Sequence, residues 1–384
     1  MKATWRLGKL HGVQIGVHWS AVLLIAMVGN ILASLVLPDA VPGSSTGARW
    51  AAGLAGAALL AGGILLHELA HVRVAQRRGV PVNSVTLWGL GGVSELGAEP
   101  ADADTELRIA IAGPLSSLLV AAVAGVGAAT VAVVGAPDLL VATLSWVAAA
   151  NVMLAVFNLL PGSPLDGGRV LRGFLWRRNG DRDAAAQTAA SAGGWLGGGL
   201  AGIGFIEMLA TGTAAGLWLV VIGWFIATSA RQEGQAHRVL AAFGDETVGE
   251  VMTREPVVVP AWTSLPAFVD RIVRYSLHAS YPVVDLDGGA VGVVALSDVL
   301  AVPTDRRSGM TVSQICRPAA DCVLAAADER IADLVPRVAR HRADALVLVV
   351  DGARLVGVLS LWDISLLTQR ALLRGTTPPA PVSR

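Results

Sequence analysis

The sequence has 384 residues, of which 54% are hydrophobic and only 15% charged, and its mean hydropathy is +0.60. This composition excludes an ordinary soluble protein and predicts a membrane protein. Basic and acidic residues number 29 each, so bulk charge gives no reason to expect a nucleic acid partner. Cys316 and Cys322 lie far from the N-terminal histidines and predict neither a disulfide framework nor a cysteine zinc site.

Six apolar segments are long enough for membrane spans, which take about 20 helical residues because backbone polar groups must be paired internally. They cover approximately residues 17–37, 50–71, 109–134, 139–160, 189–210 and 213–230. The glycine-rich last two are also compatible with a re-entrant pair. Basic residues concentrate before the first segment and after the second and fourth, so the positive-inside rule places both termini in the cytoplasm of a multi-pass plasma-membrane protein.

Beyond residue 230 the sequence changes to short β-branched runs that alternate with helical ones, as in a soluble α/β region. This region repeats itself: residues 248–252 resemble 312–316, and residues 292–298 resemble 357–363. The predicted domains are therefore a membrane domain at 1–230, a linker at 231–246, two modules at 247–308 and 309–372, and a disordered tail at 373–384.

The segment His67-Glu68-Leu69-Ala70-His71 ends the second apolar helix. Its two histidines are four positions apart in the sequence and project from one helix face, so one metal ion can reach both. Ionisable residues inside a membrane helix are costly and indicate function by default. The alternative is a polar helix end at the cytoplasmic interface.

A catalytic zinc takes three protein ligands and keeps one position open for water. Asp166 is the candidate third ligand, because it follows the fourth apolar segment on the same predicted side as the histidines. Two prolines before it end the helix, and two glycines after it permit unusual backbone angles, so its carboxylate can turn back toward the metal. A simple turn leaving the membrane is the alternative, but it does not explain Asn158.

The second-span His-Glu-x-x-His and the later Asn-x-x-Pro-x-x-Pro-x-Asp-Gly closely resemble the site-2 proteases, which are intramembrane zinc proteases. The resemblance covers roughly the first 230 residues. It implies that one zinc ion is held by His67, His71 and Asp166, that Glu68 activates the water, and that Asn158 steadies the substrate or the oxyanion. It also implies cleavage within or near the transmembrane segment of a single-span membrane protein, for example an anti-sigma factor.

Two other segments look like parts of that family. Residues 85–96 resemble its membrane-associated β-hairpin loop, which would hold an unwound substrate segment. Residues 112–115 resemble its third-span motif, which commonly continues to an asparagine. This sequence has Ser117 there, so Ser117 is left outside the predicted site.

The repeated modules resemble a pair of CBS domains, the adenine-nucleotide-sensing unit named from cystathionine β-synthase. In that family a Gly-x-x-Ser/Thr-x-x-Asp stretch lies at the nucleotide cleft. The second copy matches with Gly357, Ser360 and Asp363, whereas the first has Asp298 but Ala295 in place of the hydroxyl residue. The resemblance implies binding of ATP or AMP and a homodimer through the modules. The alternative is that both copies are structural or dimerisation modules without a ligand.

The expected fold is thus a polytopic α-helical membrane domain of about six transmembrane helices, followed by an α/β tandem CBS module. A CBS-regulated membrane transporter or channel is the alternative function. Transport sites usually lie near the bilayer midplane, whereas the residues predicted to bind zinc cluster toward helix ends. A catalytically inactive scaffold is a third interpretation, which the intact motifs disfavour.

Overall fold

The computed structural model describes residues 4–375 apart from 11, 90, 98, 277 and 339–345, so most of the predicted tail lies outside the described residues. The N-terminal region is mainly helical. Its helices, in chain order, are α1 (Trp19–Ala40), α2 (Thr46–Arg77), α3 (Ala103–Val133), α4 (Asp138–Asn158), α5 (Asp166–Asn179), α6 (Arg182–Thr211) and α7 (Leu217–Phe243). Within the described part of the chain, five of these are long and apolar enough to cross a membrane, namely all except α5 and α7.

The sixth predicted segment, 213–230, corresponds to the first half of α7. The apolar stretch of this helix ends where Arg231 begins a polar run, so it is shorter than the roughly 20 residues of a typical span. The helix itself continues through most of the predicted linker, and the chain divides into compact units at Gln235 and Ala236. The predicted domain limits remain expectations.

Helix α2 is the element around which the first unit is built. It begins at Ser45, whose hydroxyl accepts a hydrogen bond from the N–H of Ala48. Its glycines allow close approach of neighbouring helices: a Cβ on Gly53 would lie 2.7 Å from the carbonyl oxygen of Gly29 in α1. Helices α3 and α4 pack on it and on each other.

A four-stranded sheet also packs against α2. Its strands, in spatial order, are β1 (Trp5–Leu10), β2 (Val13–Val17), β3 (Val82–Trp88) and β4 (Gly91–Leu96). Strands β2 and β3 pair in parallel, while the other two pairings are antiparallel. Val85 of β3 is fully buried against Val13 and Val72, which fixes the sheet to α2. The predicted hairpin is therefore present, and β4 is an edge strand of this sheet.

The second unit contains two small α/β modules. Its strands are β5 (Thr253–Arg254), β6 (Val259–Pro260), β7 (Ser280–Val284), β8 (Ala290–Ala295), β9 (Arg317–Pro318), β10 (Val323–Ala325), β11 (Leu346–Asp351) and β12 (Arg354–Ser360). Its α-helices are α8 (Val248–Val251), α9 (Leu265–Arg271), α10 (Leu296–Ala301), α11 (Ile331–Val338) and α12 (Leu361–Gly375).

The two sheets of this unit exchange strands. One sheet has the order β6-β7-β8-β9 and the other β10-β11-β12-β5, so each contains a short strand from the other sequence repeat. Each sheet has its own core, with Phe268 and Tyr281 buried in the first and Ile331 and Leu359 in the second. The last residue of α7, Phe243, is buried in the second core.

Candidate metal centre and active site

Two histidines of α2 meet the first residue of α5. The Nε2 atoms of His67 and His71 lie 3.0 and 3.2 Å from Oδ2 of Asp166, and the three donor atoms lie within 4.8 Å of one another. Both histidines are buried, at 4% and 5% exposure. The structure thus brings together the three side chains that the sequence predicts as metal ligands.

The other ring nitrogen of each histidine is bound by α3. Nδ1 of His71 donates a hydrogen bond to the carbonyl oxygen of Ile109 at 2.7 Å, which leaves the Nε2 lone pair for a metal. Nδ1 of His67 lies 2.9 Å from the hydroxyl of Ser117, which is fully buried. Ser117 was expected outside the site, but it contacts a proposed ligand directly. The serine hydroxyl can take the place of the asparagine amide of the family motif, because Nδ1 of the imidazole needs only one hydrogen-bonding partner.

Gly113 of α3 leaves the space beside the two Nε2 atoms open. A Cβ at this position would lie far inside van der Waals contact with Nε2 of both His67 and His71. Two imidazole nitrogens and one carboxylate oxygen are suitable ligands for a tetrahedral zinc ion with one position left for water. Gly113 leaves room for the ion, and the hydrogen-bonding contacts of the two Nδ1 atoms with α3 leave both Nε2 atoms facing it.

The loop between α4 and α5 holds Asp166 in place. The N–H of Ser163 donates to the carbonyl oxygen of Ala189 in α6 at 3.1 Å, and Gly162 packs directly on the backbone of Gly193. Burial raises the pKa of Asp166, but the hydrogen bonds from His67 and His71 lower it more, so its carboxyl pKa lies below the usual range. The third proposed ligand is therefore ionised and fixed by backbone contacts.

Glu68 points toward the hairpin. The hydroxyl of Ser94 in β4 donates to Oε2 of Glu68 at 2.6 Å, and Gly92 packs so closely on Glu68 that a Cβ would not fit. Ser94 has no motif of its own, and the sequence gives no signal for this contact.

A cavity of about 310 Å³ joins these groups. It is lined by His67, Glu68, His71, Asp166 and Asn158, together with Ser94 and Arg169 among others. The side-chain amide of Asn158 donates to the carbonyl oxygen of Leu154 at 3.0 Å, one turn earlier in the same helix. The predicted catalytic residues thus share one cavity.

A buried ion-pair cluster lies beside the cavity. Glu106 of α3 is 0% exposed and accepts hydrogen bonds from Arg169 Nε at 2.9 Å and Arg172 Nη2 at 2.5 Å. Both arginines belong to α5, so the cluster ties the helix that begins with Asp166 to α3. None of the three was predicted, because acidic residues are common in the first turn of a helix and do not by themselves indicate a buried ion pair.

The candidate nucleotide-binding residues cap helices in the second unit. Asp363 Oδ2 accepts hydrogen bonds from the hydroxyl and the N–H of Ser360, at 2.6 and 2.9 Å. Asp298 accepts from the N–H of Ala295 at 3.0 Å in the first copy. A Cβ on Gly357 would lie 2.5 Å from Sδ of Met252, so a side chain at this position would require Met252 to move. Each residue therefore has a structural role in the protein without ligand.

Comparison with known proteins gives two family matches. The model of Peptidase family M50 matches residues 55–138 and 131–196, and the CBS domain model matches residues 248–305 and 312–367. The chain is 39% identical over 361 residues to "Putative zinc metalloprotease Rip3" of Mycobacterium tuberculosis strain H37Rv, covering 94% of this chain and 92% of the relative.

Two further matches have lower sequence identity. "Putative zinc metalloprotease sll0528" of Synechocystis is 28% identical over 370 residues, covering 94% of each chain. The structure "Site-2 Protease from Methanocaldococcus jannaschii" matches with a TM-score of 0.41 and 28% identity, covering 60% of this chain and 94% of that chain. The chain belongs to Peptidase family M50, the site-2 proteases, and carries a tandem CBS pair.

The predicted family, fold class and enzyme class are confirmed by these matches. The protein is a multi-pass membrane zinc metalloprotease of the intramembrane type, and its substrates are membrane proteins. The relatives that match over most of the chain carry the names of zinc metalloproteases, not of transporters or channels.

Proposed function

We propose that His67, His71 and Asp166 hold the catalytic zinc and that Glu68 is the general base for peptide hydrolysis. One observation carries this assignment: two imidazole Nε2 atoms and one carboxylate oxygen converge on the space that Gly113 leaves open. Three ligands of these types with an accessible fourth position define a catalytic zinc site rather than a structural one.

When bound, zinc supplies Lewis-acid polarisation of the scissile carbonyl and lowers the pKa of water to about 7. Glu68 removes the proton from the attacking water and delivers it to the leaving amine. Ser94 holds one oxygen of Glu68, so the other remains for the water. Asn158 uses one amide hydrogen on Leu154, and its second steadies the substrate carbonyl.

The proposed substrate is a single-span membrane protein, such as an anti-sigma factor. Carbonyl groups of a helix in lipid are already hydrogen-bonded, so the cleaved segment has to unwind. Strand β4 is an edge strand among the described residues and lies beside Glu68 through Gly92 and Ser94, and an extended segment can pair with such an edge. Cleavage then occurs where the unwound segment passes Glu68.

The proposed location is the plasma membrane, with the N-terminus and the CBS pair in the cytoplasm. Basic residues near the N-terminus and after α2 and α4 support this orientation. Helices α6 and α7 then return the chain to the same side, either as two spans or as a re-entrant pair.

The CBS pair is proposed to bind ATP or AMP, chiefly in the second copy, and to form a homodimer. Ser360 and Asp363 offer a hydroxyl and a carboxylate at the start of α12, whereas the first copy has only Asp298. Calorimetry with the full-length protein tests this. Binding of AMP or ATP that is lost in Asp363→Ala and kept in Asp298→Ala supports the proposal, and absence of binding to the wild type leaves only the structural role.

The protease assignment is tested with Glu68→Gln. This variant keeps all three proposed ligands, so we expect one zinc per chain and no cleavage. Zinc analysis of the purified protein is combined with proteomics of membrane fragments in cells that produce the variant. Full cleavage by zinc-loaded Glu68→Gln protein contradicts the assignment.

A further inference from the structure

Arg169 is a cationic residue on the wall of the active-site cavity, one turn of α5 after Asp166. Its side chain is 24% exposed, whereas the Glu106 carboxylate that it contacts is 0% exposed. The contact uses Nε alone, and the guanidinium of Arg169 hydrogen-bonds no other described residue. Its remaining N–H groups are therefore available to a molecule in the cavity.

The charges around Arg169 favour an anion. Arg172 donates to the same oxygen of Glu106, so two guanidinium groups share one carboxylate and one positive charge stays uncompensated in the cluster. Arginine does not lose its proton in proteins. The carboxylate of Asp166 is bound by the two histidines and is not the partner of Arg169. In surroundings of low dielectric constant such a cation attracts negative charge more strongly than it does in water.

We infer that Arg169 is a catalytic residue that binds the scissile carbonyl oxygen as this oxygen becomes negatively charged. The inference rests on the proposed function. Glu106 fixes the guanidinium before the reaction, so no reorganisation is needed when the charge develops. A charged donor also forms a stronger hydrogen bond than the neutral amide of Asn158, one hydrogen of which is already used by Leu154.

Arg172 provides a matched control. It binds the same carboxylate from the same helix but is not among the residues that line the cavity within the described part of the chain. If the cluster is purely structural, substitution of either arginine should have the same effect on ligand binding. If Arg169 contacts the reacting oxygen, its substitution should have much the larger effect.

The test uses two ligands with the full-length, zinc-loaded protein. One is an apolar peptide of about 25 residues with a central Gly-Gly pair. The other replaces the central amide by a phosphinate, whose tetrahedral anion imitates the charge of the transition state. Both are titrated into Arg169→Gln and Arg172→Gln in a Glu68→Gln background that prevents cleavage.

We expect Arg169→Gln to weaken phosphinate binding roughly 100-fold, the effect of removing one such donor, while amide binding and zinc content stay unchanged. Arg172→Gln removes the excess positive charge but keeps the Arg169 donor, so it should reduce the phosphinate preference much less than Arg169→Gln does. An equal loss for both peptides, or the same loss in Arg172→Gln, overturns the inference. The inference is also overturned if the zinc-loaded Glu68→Gln parent protein does not bind the phosphinate more tightly than the amide peptide. A wild-type protein that holds no zinc overturns the proposed function instead.

Discussion

The hydroxyl of Ser117 lies 2.9 Å from Nδ1 of His67, a residue fifty positions earlier in the chain. Both side chains are buried between α2 and α3. A partner on Nδ1 fixes the ring orientation of a metal-binding histidine and the nitrogen that faces the metal. Ser117 is therefore a positioning residue for the proposed zinc site.

Ser117→Ala should weaken zinc binding about 10- to 100-fold, because His67 loses the partner that orients its ring. Competition with a fluorescent zinc indicator measures the affinity. The neighbouring Ser116, which is not fully buried, provides the control variant Ser116→Ala. Identical affinities in the two variants would show that the Ser117 hydroxyl does not support the ligand.

Gly113→Ala should abolish zinc binding, because the added methyl group occupies the space beside both histidine Nε2 atoms. Metal analysis after purification gives the result directly. Gly127→Ala in the same helix is the matched control, since its Cβ would meet only an ordinary contact of 3.8 Å with Leu144. One zinc per chain in Gly113→Ala protein would mean that the metal lies elsewhere.

Ser94→Ala should lower kcat by roughly 10- to 100-fold with little change in KM, because the Glu68 carboxylate loses the hydrogen bond that holds it. Ser94→Thr retains a hydroxyl and should recover most of the activity. Steady-state cleavage of a membrane-peptide substrate measures both constants. Equal activities of the alanine variant and the wild type would remove Ser94 from the mechanism.

Glu106→Gln should destabilise the membrane domain by about 3 kcal/mol, because two partly buried guanidinium groups lose the charge of their fully buried carboxylate partner. Thermal unfolding in detergent provides the comparison. Asp104→Asn breaks the exposed pair between Asp104 and Arg177 and should leave the midpoint unchanged. Equal midpoints for Glu106→Gln and the wild type would indicate that the cluster adds no stability.

The sequence predicts those parts of the site that depend on local spacing. His67 and His71 share a helix face by periodicity, and Asp166 follows from the need for a third ligand. Ser117, Ser94 and Glu106 could not be predicted in this way, because their contacts depend on how α3 and the hairpin pack against α2. Such distances are set by tertiary packing and leave no periodic signal.

The membrane helices were also predicted only in part from the sequence. Long uninterrupted apolar runs predict α1 to α4 and α6, and the structure contains each of them. The segment at 213–230 instead becomes the first part of the longer helix α7, since nothing in the polar run after Arg231 ends the helix. Hydropathy identifies an apolar stretch, but it does not determine where the helix stops.

The exchange of short strands between the two CBS sheets makes the repeats inseparable. Strand β5 belongs to the first repeat but pairs in the sheet of the second repeat. Strand β9 belongs to the second repeat but pairs in the sheet of the first. A polypeptide cut between the repeats would yield two halves, each carrying an orphan strand and an open sheet edge. The two repeats therefore form one folding unit, which should be expressed or transferred to another protein only as a whole.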